Sequence, residues 1–146
     1  MGMFDSMHVS ASGLAAERLR MDVIAQNLAN ANSTRGPDGQ PYRRHEVIFR
    51  SDNVAGTTGT TRTSASDDEQ MHGVEPVAIV EDPSALRSVY DPQHPDADEN
   101  GYVYYPNVNP VTEMVDMMTA TRAYEANVTA MNAAKNMALK ALDILR

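Results

Sequence analysis

The stretch NPVTEMVDMMTATRAYEANVTAMNAAKNMALKALDILR, residues 109–146, decides the architecture. Asn109 and Pro110 suit a helix N-cap and first helical position, where backbone amides lack intrahelical partners. One seam runs Met117, Thr121, Tyr124, Val128, Met131, Ala138, Leu142 and Leu145, interrupted by Lys135. Its steps alternate between three and four residues, the spacing of a coiled-coil seam. A second seam, roughly opposite, runs Val115, Ala126, Ala130, Ala133, Met137 and Ile144. A helix with one apolar stripe packs on one partner. Two seams ask for two neighbours, which points to assembly rather than catalysis.

Working outward, residues 6–32 read as a second long helix. Met7, Ala11, Leu14, Met21, Ala25 and Leu28 share a face, with Arg18 as the odd member. Ser6 is the expected cap, and the Asn27, Asn30 and Asn32 cluster the expected terminator, because Asn competes for backbone hydrogen bonds. Gly13 inside this helix costs about 1 kcal/mol relative to Ala; close approach of a neighbour and fraying near the helix start are equal explanations.

Between the helices, 36–41 (GPDGQP) reads as a turn. Strands are expected at 42–49, 74–80, 86–90 and 102–105, and residues 51–70, almost without apolar side chains, as a flexible loop. The predicted fold is mainly α with a small β insert: long N- and C-terminal helices pairing as an antiparallel coiled coil around an irregular β-rich middle. Its parts are residues 1–34 with 106–146, and an outer insert, 35–105. At about 1.5 Å per residue the helices span roughly 40 and 54 Å. A small insert cannot cover both, so copies of the chain or similar proteins are expected to complete the core.

Composition narrows the function. The net charge is −8, from 20 acids and 12 bases, and residues 64–100 hold ten of the acids and only Arg87 as a base. Nucleic acid and anionic membranes need clustered Lys and Arg, and only the Arg43-Arg44 pair approaches that. No run of 18 apolar residues exists, so no membrane span is expected. The ten Met and absent Trp favour adaptable helix contacts. Without Cys there is no thiol chemistry. The N-terminus lacks the basic and apolar regions of a cleaved signal, so the chain is expected in the cytoplasm or exported by another route.

Chemistry-bearing patterns are missing. His8, His45, His72 and His94 are scattered, with no HExxH. The acidic stretch 91–99 does not fit an EF-hand. No P-loop, GxGxxG, GxSxG or SxxK occurs. No catalytic, cofactor-binding or metal-ligating residues are assigned, and the chain is read as a non-enzyme without a cofactor.

Two stretches carry a family likeness. Residues 10–20 (SASGLAAERLR) with 27–35 (NLANANSTR) resemble the opening motif of bacterial flagellar rod and hook proteins. Residues 102–109 (YVYYPNVN), 113–117 (EMVDM) and 122–128 (RAYEANV) resemble their closing motif. Residues 36–44, 79–83 and 90–98 add a match in the middle to the basal-body rod members.

The resemblance implies a structural subunit of the proximal rod, part of the axial drive shaft crossing the periplasm. It implies export, unfolded, through the flagellar type III apparatus without signal cleavage. Partners would be copies of the chain, other rod proteins, and the export apparatus with the basal-body base. The terminal helices would form the inner axial core, with the insert outside.

On this reading Leu14, Met21, Leu28, Tyr124, Val128, Met131 and Leu142 form the helix pair. Val115, Ala126, Ala133, Met137 and Ile144 meet neighbouring subunits. Asn27, Asn30, Tyr105, Asn107 and Asn109 fix the junction of helices and insert through backbone hydrogen bonds; simple capping would look the same in sequence. The alternative is a soluble helical adaptor or export-chaperone-like binding protein, which would stay in the cytosol.

Overall fold

The computed structural model describes residues 3–53 and 72–144. Helix α1 spans Met3–Ala29 and helix α2 Pro110–Ile144. Between them lie strands β1 (His45–Asn53), β2 (His72–Glu81), β3 (Arg87–Tyr90) and β4 (Tyr102–Tyr105). They form two separate antiparallel pairs, β1–β2 and β3–β4. The architecture is two long helices with a small β insert.

Several boundaries differ from expectation. Helix α1 begins before Ser6, which therefore lies inside it rather than at its cap. Strand β1 starts at His45; just before it the Arg44 amide bonds to the Asn107 side chain instead of to a neighbouring strand. It continues to Asn53, so residues 51–53 of the expected loop are strand. The rest of that loop and Leu145 lie outside the described residues. Pro76 has no N–H for a ladder, and β2 answers with a bulge: Ile48 pairs with Ala78 but Phe49 with Pro76, leaving Val77 as the extra residue.

The helices run side by side in opposite directions. Asn27 bonds to Glu113, and the Thr121 hydroxyl reaches Met21 Sδ at 3.7 Å. A β-carbon placed on Gly13 would lie 3.0 Å from Nδ2 of Asn127. The helical register at 13/127 and at 27/113 is thus the same, two heptads on.

Side-chain burial corrects the expected seam. On α2 the covered or half-covered positions include Glu113, Met117, Ala120, Tyr124, Asn127, Met131, Ala134 and Ala138. Thr121, Val128, Lys135 and Leu142 are exposed. From Met117 the covered positions step by three where the expected seam stepped by four, so Thr121, Val128 and Lys135 fall one residue past Ala120, Asn127 and Ala134. The helices instead use Ala120 and Ala134, whose small side chains permit close approach. Lys135 marked the error, since a cation does not sit in a packed seam unpaired.

The buried arc of α1 is also turned, to Ala16, Val23, Ile24 and Asn27. Leu14, Met21 and Leu28 are half-buried, and Ala11 and Ala25 exposed. The reason is that α1 meets two things at once, α2 and the β1–β2 ribbon. The ribbon is seated by the Arg20 guanidinium over the Phe49 ring (4.7 Å) and by the Val74 amide donating to Ser12 Oγ (3.1 Å).

Candidate functional site

The most developed polar constellation is a joint where α1, α2 and the insert converge. Asn27 is one turn from the end of α1 and wholly buried. Its Nδ2 donates to the His45 carbonyl (2.8 Å), and its Oδ1 accepts from the His45 amide (2.9 Å). The side-chain amide thus pairs with His45 as a neighbouring strand would. That double contact also fixes which end of the amide is oxygen. The second Nδ2 proton goes to Glu113 Oε2 (3.1 Å), and Oδ1 also accepts from the Tyr42 hydroxyl (2.9 Å). All four hydrogen-bonding positions of the amide are used.

Glu113, in the first turn of α2, is 0 % exposed. Its Oε1 accepts from Arg44 Nε at 2.6 Å. Arg44 also lies 3.6 Å from Asp116 and 3.7 Å from Glu46. Burial pulls the Arg44 pKa down; the hydrogen bond and charge of Glu113, then Glu46 and Asp116, more than offset this and raise it. An isolated buried carboxylate is costly, so Arg44 and Asn27 are what make Glu113 tolerable there.

Tyr42 and His45 close the network. The single Tyr42 proton is committed to Asn27, so His45 Nδ1, 2.8 Å from the phenol oxygen, is the donor to it. Burial, then the charges of Glu113 and Glu81, raises the Tyr42 pKa above the ordinary phenol value. Asn107 completes the joint: its Oδ1 accepts the Arg44 amide (2.8 Å) and its Nδ2 donates to the Asp82 carbonyl (3.2 Å). Beyond it, Asp82 accepts from the Ser84 amide and hydroxyl, which lowers the Asp82 pKa.

The residues expected at the junction thus divide. Asn27 and Asn107 cross between elements. Asn30 bonds locally to the Gln26 carbonyl (2.9 Å), and Asn109 caps α2 by accepting the Val111 amide (3.0 Å). Tyr105 lies in β4, with the Arg87 guanidinium 5.0 Å over its ring. Sequence reasoning missed Glu113, Arg44 and Tyr42. In the sequence Glu113 is one residue of the closing motif and Arg44 half of a short basic pair, with nothing local to link them. The available signal was their place: each sits where an insert or helix begins, inside a stretch that carries the family likeness.

The expected subunit-contact residues lie elsewhere, on the open side of α2. Val115, Ala126, Ala133, Met137 and Ile144 are all exposed, Met137 at 61 % and Ile144 at 85 %. Among the described residues no three His, Asp or Glu side chains are grouped to hold a metal, and no helix is long and apolar enough to cross a membrane. The arrangement can hold three segments in fixed relation.

Comparison with known proteins agrees at both ends and across the middle. Residues 7–37 match the family described as flagella basal body rod protein. Residues 99–144 match the family described as flagellar basal body rod FlgEFG protein C-terminal. The chain is 47% identical to the flagellar basal-body rod protein FlgC of Borreliella burgdorferi, over 100% of this chain and 99% of that one. It belongs to the FlgC family. The FlgC proteins of Bacillus subtilis (47% identical) and Salmonella typhimurium (41%) are also matched over 99% of this chain, and over 99% and 98% of their own lengths. The stretches that build the joint in this FlgC-family chain, 27–45 and 107–113, are therefore inside the aligned region rather than in an added segment.

Proposed function

We propose that this chain is a structural subunit of the proximal rod of the bacterial flagellar basal body, transmitting torque across the periplasm. The observation that carries the reading is similarity to FlgC rod proteins along essentially the whole chain. The physical support is the open side of α2. Val111, Met114, Val115, Met118, Met137, Leu139 and Ile144 are exposed along α2, and so is Leu142 toward its end, more apolar surface than a solitary helix leaves to water without cause. Covering a Leu, Ile or Met side chain fully stabilises by roughly 1.5–3 kcal/mol, so neighbours packed on this side would contribute substantially.

In this reading the paired terminal helices, an antiparallel coiled coil, are the inner axial core, and residues 35–105 the outer insert. The three-four alternation of covered positions on α2 supports the coiled coil. Val115, Ala126, Ala133, Met137 and Ile144 meet copies of the chain and other rod proteins. The joint of Asn27, Arg44 and Glu113 keeps insert and helices turning together, since close-packed, fully bonded contacts deform little. The chain reaches the rod unfolded through the flagellar type III export apparatus. Its role is mechanical.

Cell fractionation tests this. The chain is expected to co-purify with basal bodies, and its deletion to abolish the rod and swimming. A chain found only in the cytosol, with rods assembled normally in its absence, would make it an adaptor instead.

A further inference from the structure

The face of the β3–β4 sheet turned away from Val103 has no use in the joint or the helix pair. Because Tyr90 pairs with Tyr102 and Ser88 with Tyr104, these four residues alternate onto one face, opposite the fully buried Val103. Tyr90, Tyr102 and Tyr104 are all exposed, Tyr90 at 64 %. Yet the rings are held. Tyr90 and Tyr102 meet edge to face with centroids 5.4 Å apart. Gly101, at φ 81°, lies so close beneath Tyr90 that a β-carbon there would be 2.9 Å from ring atom Cε2. The Tyr104 hydroxyl lies 3.4 Å from Asp98 Oδ2. Fixing exposed aromatic rings costs conformational entropy and returns little burial in the lone chain. Rigid, exposed aromatic rings are what a binding surface needs, because little freedom remains to be lost on docking.

The loop joining the two strands is acidic, and the sheet's own cation, Arg87, lies over Tyr105 on the other face. Residues 88–105 contain Asp91, Asp96, Asp98 and Glu99, and no Lys or Arg. Asp96 faces away, holding Thr34 (2.8 Å) and Arg35 (3.7 Å). Asp91 and Asp98 take backbone amides on one oxygen, from Gln93 and from Asn100 and Tyr102. Asp91 and Glu99 are exposed, while the second oxygen of Asp98 is the one beside the Tyr104 hydroxyl. Aromatic faces ringed by carboxylates attract ammonium and guanidinium groups by cation–π and ionic contact together.

We propose that the Tyr90–Tyr102–Tyr104 face is a docking surface for a Lys- or Arg-bearing segment of a neighbouring rod component. This rests on the rod reading above and adds a second contact surface, on the insert, distinct from the open side of α2.

The test is photo-crosslinking in cells, with p-benzoylphenylalanine replacing Tyr90 in the full chain and, separately, Ile144 as the reference position. Basal bodies are purified and adducts mapped by mass spectrometry. The expected result is a Tyr90-position adduct to a Lys- or Arg-containing segment of a rod protein, and at least a tenfold loss of that adduct with Glu99→Lys and Asp91→Lys together, while the Ile144-position adduct persists. An Ile144-position adduct without one at 90 overturns the proposal and leaves the rod reading standing. So does an adduct at 90 to a segment without basic residues, to glycan or to lipid, or one unaffected by the charge reversals. Absence of the chain from basal bodies overturns both.

Discussion

Arg44 donates its Nε–H to Glu113 across 2.6 Å, and that bond ties the insert to the first turn of α2. Glu113 has no exposure to water, so its charge depends on this one cation and on Asn27. Removing one partner of a buried pair leaves an uncompensated charge, whereas removing both can be nearly neutral. Arg44→Met should therefore lower the unfolding free energy by about 3–5 kcal/mol. Arg44→Met with Glu113→Gln should recover at least half of that. Urea denaturation of the three chains measures it; equal loss in the single and double variants would show that the bond is incidental.

Asn27 presents two donors and two acceptor positions, all occupied. Asn27→Asp removes both donors and puts a carboxylate beside Glu113 and the His45 carbonyl. It should cost more than Asn27→Ala, which leaves buried groups unpaired at about 1–3 kcal/mol each. Hydrogen exchange should show the His45 amide losing protection in Asn27→Ala, which removes its acceptor, and keeping more of it in Asn27→Asp, which retains one. An Asp variant as stable as the parent would contradict the bonding pattern.

Gly13 faces the Asn127 side chain, with the added β-carbon only 3.0 Å from Nδ2. Gly→Ala within a helix normally gains about 1 kcal/mol. Here Gly13→Ala should gain nothing or lose stability. In the background of Asn127→Ala the same change should restore the normal gain of about 1 kcal/mol. Thermal unfolding of the four chains in this cycle supplies the comparison, and additive effects would rule out the close approach.

Tyr42 has a raised pKa in the folded chain, from burial and then Glu113 and Glu81. Folding therefore favours its neutral phenol. Its contribution is fully present below the unfolded value of about 10 and is lost as pH rises from there through the folded pKa. Stability should decline on the alkaline side, and Tyr42→Phe should flatten that decline while lowering stability at neutral pH. An unchanged alkaline slope in Tyr42→Phe would remove Tyr42 from the joint.

Both helices and the four strand regions were legible because their cues are local: the Asn109-Pro110 start, uninterrupted helix formers, and β-branched runs between turns. The facing residues were harder. A three-four pattern leaves a one-residue choice at every other position, and Ala120 against Thr121, or Ala134 against Lys135, is decided by how closely α1 approaches. That distance is a property of both helices together. The joint was half visible. Asn27 and Asn107 are expected at the junction from the family resemblance, but Glu113 and Arg44 are separated by 69 residues in sequence, and only the fold shows that one neutralises the other. The extension of β1 to Asn53 was hidden because Ser, Asp and Asn are poor strand formers, held there by pairing with β2.

The chain has no Cys, so Met137→Cys introduces a single thiol on the open side of α2. Its alkylation rate should be compared in the free chain and in purified basal bodies. If neighbours complete the core at this side, the thiol at position 137 reacts freely in the isolated chain and at least tenfold more slowly in the rod. Equal reactivity at position 137 in both states would mean that this face stays in water, and the account of the chain as an axial subunit packed through α2 would be wrong.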